Sequence, residues 1–219
     1  MCIALRHFGV EAFSCDVEPC SGGHPEWHIQ ADVLPLINGY CTFTTMDGQT
    51  HTICHQWDLL IAHPPCTYMS NAGACRMYPH KGVVDPDRLD LAMKAKSFFM
   101  EFYNAQCAHI CIENPRPLKV VDLPKETQHI QPYEFGEPYS KLTLLWLKGL
   151  PDLVPTNILS EHTPYIASGT SRKDRSKYGA SRAGGSSKSR SKTFEGIANA
   201  MACQWTTYLN EIHTEEKSI

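Results

Sequence analysis

The segment HPPCTYMS runs from His63 to Ser70 and places Cys66 directly after two prolines, Pro64 and Pro65. Each proline fixes its backbone and removes an N–H donor, so the loop is stiff and presents the thiol in one direction. The apolar run at 57–63, WDLLIAH, reads as a buried strand that feeds this loop. A cysteine at such an edge is partly exposed, and its thiolate is the reactive form. A second apolar run, 109–112, delivers Glu113 of IENP to the end of another strand. Glutamate rarely ends a buried strand without a partner. Taken singly, the two motifs are accounted for by a turn with a packed thiol and by a cap or salt bridge. Taken together they suit one reaction. A thiolate attacks carbon 6 of a cytosine ring. A carboxyl group hydrogen-bonds the ring nitrogen and exocyclic amine as charge develops. Carbon 5 then becomes nucleophilic enough to take a methyl group.

The elements that must position these groups alternate along the chain. Residues 1–8 read as the end of a helix, with Ile3, Leu5 and Phe8 apolar and Gly9 as its stop. Residues 10–14 read as a strand ending at Cys15-Asp16, and 28–33 as a second one ending near Asp32. Asp47-Gly48 between 42–45 and 50–53 signals a hairpin, within an insertion at 38–56. Residues 87–105 carry Leu91, Ala95, Phe98, Phe99 and Phe102 at helical spacing, with Asp85 or Asp87 as cap. Residues 143–147 read as a strand. A last helix spans 193–209, with Ile197, Ala198, Met201 and Trp205 on one face. Strands alternating with helices, and polar residues at strand ends, predict an α/β fold. Its sheet is parallel, its helices cover both faces, and its site lies at the carboxyl edge.

The 219 residues and 42% hydrophobic content suit one folded domain spanning 1–219. There is no apolar run of spanning length and no signal-peptide pattern, so the sequence reads as soluble and cytoplasmic. The ten cysteines therefore read as reduced thiols, with Cys107 and Cys111 in the core. Cys15, Cys20, His24 and His28 have zinc-like spacing, but Asp16 and its strand serve another reading, and no metal is expected. The net charge of −3 hides a basic, Gly/Ser-rich loop at 168–192. It holds Arg172, Lys173, Arg175, Lys177, Arg182, Lys188, Arg190 and Lys192, and reads equally as a solvated linker or as a surface for DNA phosphates.

Pro-Pro-Cys followed by Glu-Asn-Pro resembles the catalytic pair of the DNA cytosine-5 methyltransferases, and the likeness extends to a compact phage-type branch. It is carried by FSCDVEPCSGGHPEWHIQADVLPLI, WDLLIAHPPCTYMS, IENP, IQPYEFGEPYSK, LWLKGLPDLVPTNI and SKTFEGIANAMACQW, in that order. The resemblance implies a Rossmann-like methyltransferase sheet and S-adenosylmethionine as cofactor. It implies Cys66 as nucleophile and Glu113 as the acid that binds the base, with Asn114 and Pro115 shaping the acid's loop. Pro64 and Pro65 match the rigid approach to the nucleophile. Asp16 matches the acid that binds the cofactor's ribose, Asp32 the residue that contacts its adenine, and Lys141 a basic residue near the target base.

The sequence also departs from the family. Relatives open with a strand and a short loop around the cofactor's methionine end, whereas this sequence matches from within the following helix. The expected sheet therefore has a gap; either the encoded protein is shortened, or another segment or chain fills it. Leu142 stands where relatives carry a second basic residue, and Glu195 where they carry proline. No target-recognition domain separates 143–147 from the last helix. A second reading keeps the fold without turnover: a phage protein that binds nucleic acid or blocks a host defence protein, in the host cytoplasm.

Overall fold

The computed structural model describes residues 1–165 and 192–216. The chain opens with helix α1 (Cys2–His7), which ends as Gly9 takes a positive φ of 78°. Strands β1 (Ser14–Asp16) and β2 (His28–Gln30) pair in parallel. The first is shorter and later than the expected 10–14. Val10 donates its N–H back to Leu5, and the Ala12 carbonyl accepts from Cys2 and Arg6, so this stretch is bound to α1. Strands β3 (Cys41–Thr44) and β4 (Thr50–Ile53) form an antiparallel hairpin around Asp47-Gly48.

Strand β5 (Leu60–Ala62) leads through the Pro-Pro-Cys loop to the short helix α2 (Ala74–Met77) and then to α3 (Pro86–Tyr103). Asp85 caps α3 by accepting from the Arg88 N–H at 2.8 Å, with Pro86 at the first helical position. The buried stripe on α3 is Ala92, Phe99 and Phe102; Leu91, expected on it, is instead exposed, because the helix turns Ala92 to the sheet. Strands β6 (Ile110–Asn114), β7 (Gln128–Ile130), β8 (Tyr139–Ser140), β9 (Thr143–Lys148) and β10 (Thr163–Pro164) follow. Helix α4 (Glu195–Glu216) ends the described chain. Among the described residues no helix is long and apolar enough to cross a membrane.

The fold is mixed α/β. Its largest sheet has the order β5-β6-β9-β7, and β1-β2, β3-β4 and β8-β10 are separate pairs. The expectation of one parallel sheet is corrected in two respects. Strand β9 runs antiparallel to both β6 and β7, and the stretch 131–142 that joins β7 to β9 holds a single 3-10 turn and β8 in place of a crossover helix. The β1-β2 pair is not hydrogen-bonded to the larger sheet.

Period-two alternation assigns the two faces of that sheet. Ile110, Ile112, Leu144 and Trp146 pack with Phe99 and Phe102 of α3. Cys111 and Leu145 point the other way, onto Met201 and Trp205 of α4. Helix α1 joins α4 on this second side through Ala4, Leu5, Ala198 and Ala202.

Candidate active site

The site grows from the parallel pairing of β5 with β6. Their register sets Ala62 beside Ile112, so the next residues, His63 and Glu113, leave the sheet together. The His63 Nδ1 lies 2.9 Å from Glu113 Oε2. One residue further, the buried Asn114 donates from Nδ2 to the carbonyl of the buried Pro64, at 3.1 Å. Strand ends that belong to distant parts of the sequence are thereby stapled twice.

The Cys66 loop is held from below as well. The Cys66 carbonyl accepts the N–H groups of Met69 and Ser70, at 3.1 and 2.9 Å. Asn71 N–H donates to Arg116, and Leu118 N–H to Met69, at 2.8 and 2.7 Å. These bonds zip the loop after β5 to the loop after β6, where the half-buried Pro115 begins the turn. Arg88 of α3 donates to the Thr67 carbonyl at 2.7 Å and stacks over Tyr68 at 4.4 Å. Cys66 itself is half-buried at this edge, and Pro65 is exposed beside it.

Charge at the site is set by its neighbours. Burial pushes the Glu113 carboxyl up, but the His63 hydrogen bond, the His63 charge and the Lys141 charge outweigh it and hold Glu113 below the usual carboxylate range. Lys141 precedes β9, with its Nζ 5.7 Å from the Phe194 ring centre and 6.0 Å from that of Tyr165. Leu142 packs against the core beneath α3. Glu195 lies in the first turn of α4, a favourable place for an acid. Cys111, a residue of β6 close to Glu113, is fully buried, and burial pushes its thiol well up. It is therefore inert as a nucleophile.

A cavity of about 720 Å³ opens beside this edge. Asp16, Asp32, Pro64 and Pro65 all line it. Asp16 accepts the Glu18 N–H at 3.0 Å and Asp32 the Leu34 N–H at 3.1 Å. Each bond uses one carboxylate oxygen and orients an exposed acid at a strand end. The floor is apolar, with Leu5, Ile29, Ile37, Ile61 and Phe102 among its residues.

The structure thus brings Cys66, Glu113, Asn114, Pro64, Pro65, Pro115 and Lys141 to one region, with Asp16 and Asp32 on the neighbouring cavity. Arg172, Lys173, Arg175, Lys177, Arg182, Lys188 and Arg190 lie outside the described residues; Lys192 is described and exposed. His28 engages Ser14 Oγ and the Glu18 carbonyl through its two ring nitrogens, both at 2.9 Å. His24 stacks on Trp27 and pairs with Glu26. Among the described residues no three His, Cys, Asp or Glu side chains are grouped as metal ligands.

Sequence patterns did not reveal the His63–Glu113 pair, the Arg88 brace or the aromatic rings around Lys141. Each joins residues far apart in the chain, and only a known strand register could have exposed them. Comparison with protein-family models, curated proteins and solved structures returns no match to this chain.

His63→Ala is expected to raise the Glu113 pKa towards the ordinary carboxylate range. The sign follows from linkage. A carboxyl whose folded pKa is depressed adds stability above its unfolded pKa and loses it as pH falls through the folded value. The variant should be less stable by about 1–2 kcal/mol at pH 6, a hydrogen bond to a charged group discounted for partial exposure. That gap should narrow on acidification below the ordinary carboxylate pKa. Urea titrations at several pH values measure it, and a gap that widens towards acid would contradict the pairing.

Proposed function

We propose that this chain is an S-adenosylmethionine-dependent DNA cytosine-5 methyltransferase built on a Rossmann-like sheet. The observation that carries the reading is the double staple, His63–Glu113 and Asn114–Pro64, which ties a proline-stiffened cysteine loop to an acid at one sheet edge. The strand order supports the fold assignment, with β1-β2 on one side of the cavity and β5-β6-β9-β7 on the other. Carboxyl-edge sites are the rule for such sheets.

The chemistry follows from the groups present. A cytosine turned out of the duplex lies against the edge. The Cys66 thiolate adds to carbon 6, forming a sulfur–carbon bond and moving the ring's electron pair towards carbon 5 and the ring nitrogen. Glu113, held ionised by His63, accepts from the exocyclic amine and so fixes the base against the edge as negative charge builds on the ring. Lys141 adds positive charge on the same side. Once carbon 5 carries the methyl group, water takes its proton; the electron pair of that carbon–hydrogen bond reforms the ring double bond and expels the Cys66 thiolate.

The cavity suits the proposed cofactor. Asp16 and Asp32 offer carboxylates for ribose hydroxyls and an adenine amine, and the apolar floor suits a flat base. When bound, S-adenosylmethionine supplies the methyl group. The basic stretch from Arg172 to Lys192 supplies attraction to DNA phosphates.

The test uses tritiated-methyl S-adenosylmethionine and cytosine-containing duplex DNA, followed by nucleoside chromatography. Label in 5-methylcytosine is expected. A folded sample that binds neither substrate at millimolar concentration and transfers no label would remove the reading.

A further inference from the structure

We propose that His28 and Gln30 are positioning residues for the proposed cofactor: side by side on one face of β2, they lock the turn after β1 so that Asp16 aims its carboxylate into the cavity. This inference rests on the cofactor reading above. It adds two residues that do not themselves line the cavity.

The turn needs a lock. Asp16, Val17, Glu18 and Pro19 are all exposed, so packing against the core does not set its shape. Side-chain hydrogen bonds hold it instead. Asp16 Oδ1 accepts the Glu18 N–H at 3.0 Å. The Gln30 Nε2 donates to the Val17 carbonyl at 3.3 Å. The His28 Nε2 lies 2.9 Å from the Glu18 carbonyl. A carbonyl only accepts, so Nε2 carries a proton in either charge state of the ring.

The strand register explains the arrangement. Strands β1 and β2 set Ser14 beside His28 and Asp16 beside Gln30, so the four side chains share one face. The second ring nitrogen of His28, Nδ1, lies 2.9 Å from Ser14 Oγ. With both nitrogens engaged and only 6% of the residue exposed, the imidazole has one orientation. A buried ring thus fixes an exposed acidic turn. Because Oδ1 of Asp16 is bound within the turn, Oδ2 is the oxygen presented to the ribose hydroxyls. Without the lock the turn must be ordered when the cofactor binds, and that cost is read as weaker affinity.

The test compares the native chain with His28→Asn, His28→Gln and Gln30→Met. Asparagine places its amide near the Nδ1 position and does not reach Glu18, whereas glutamine reaches the Nε2 position and restores the donor. Calorimetry with S-adenosylmethionine is expected to show a Kd raised about tenfold by His28→Asn and about threefold by Gln30→Met, the loss of one hydrogen bond to the turn in each case. For His28→Gln it should stay within about twofold of native. In methyl transfer the KM for the cofactor should rise in step, while kcat at saturating cofactor and the KM for DNA stay unchanged. A merely structural residue would neither split KM from kcat nor be rescued by glutamine alone. Gln30 is exposed, so Gln30→Met keeps the test open should His28→Asn fail to fold. An unchanged Kd in Gln30→Met and in every folded His28 variant would overturn the proposal, as would a fall in kcat with no change in KM. If the native chain binds no S-adenosylmethionine, the cofactor reading falls, and amide exchange at Glu18 decides whether these residues fix Asp16. Exchange at least about threefold faster in His28→Asn or Gln30→Met, but not in His28→Gln, upholds the lock. Equal exchange in all of them overturns it.

Discussion

Cys66→Ser is expected to lower methyl transfer by on the order of 10⁴-fold or more, as removal of a covalent nucleophile does in other enzymes. Serine keeps the size of the side chain but is a far weaker nucleophile at neutral pH. The residue is half-buried in a loop held by backbone bonds, so the fold should be unaffected. The decisive measurement is covalent trapping. In an oligonucleotide containing 5-fluorocytosine, fluorine replaces the proton that must leave, so the sulfur–carbon bond persists. The native chain should give an adduct that survives denaturation, and Cys66→Ser should give none. An undiminished adduct would assign the nucleophile elsewhere.

The second large effect is on stability. Trp205 is fully buried, and its indole N–H donates to the Pro151 carbonyl at 3.1 Å. It packs with Cys111, Leu145 and Met201, so it clamps α4 to the back of the strand that bears Glu113. Trp205→Ala should cost about 3–5 kcal/mol, the range for deleting a large buried aromatic. For a chain of this length that corresponds to a fall in Tm of about 10 °C. Trp205→Phe should recover most of the loss, since it refills much of the volume and leaves one carbonyl unpaired. Urea unfolding of the three proteins checks this. A loss below about 1 kcal/mol, typical of surface sites, would mean that α4 does not carry the sheet.

Much of the fold was legible where the pattern is local. Helix α3, the turn at Asp47-Gly48 and the buried face of α4 follow from spacing and turn chemistry, while the structure selects Asp85 over Asp87 as the cap of α3. Legibility failed where a local pattern met a distant partner. Residues 10–13 have strand character, but Val10 and the Ala12 carbonyl bond to α1. Leu91 has the right spacing for the core, but α3 is rotated to bury Ala92. The direction of β9 was not legible either, because an apolar run carries no sign of its orientation.

Residue type and short-range spacing alone determined which groups can do chemistry: a thiol after two prolines, an acid before Asn-Pro, and strands that carry both to their ends. Tertiary structure alone decided that these ends are neighbours, that His63 rather than solvent meets Glu113, and that β1 and β5 face each other across a slot. The physical reason is that side-chain alternation is written residue by residue. Register and adjacency are set by packing between segments that the chain separates.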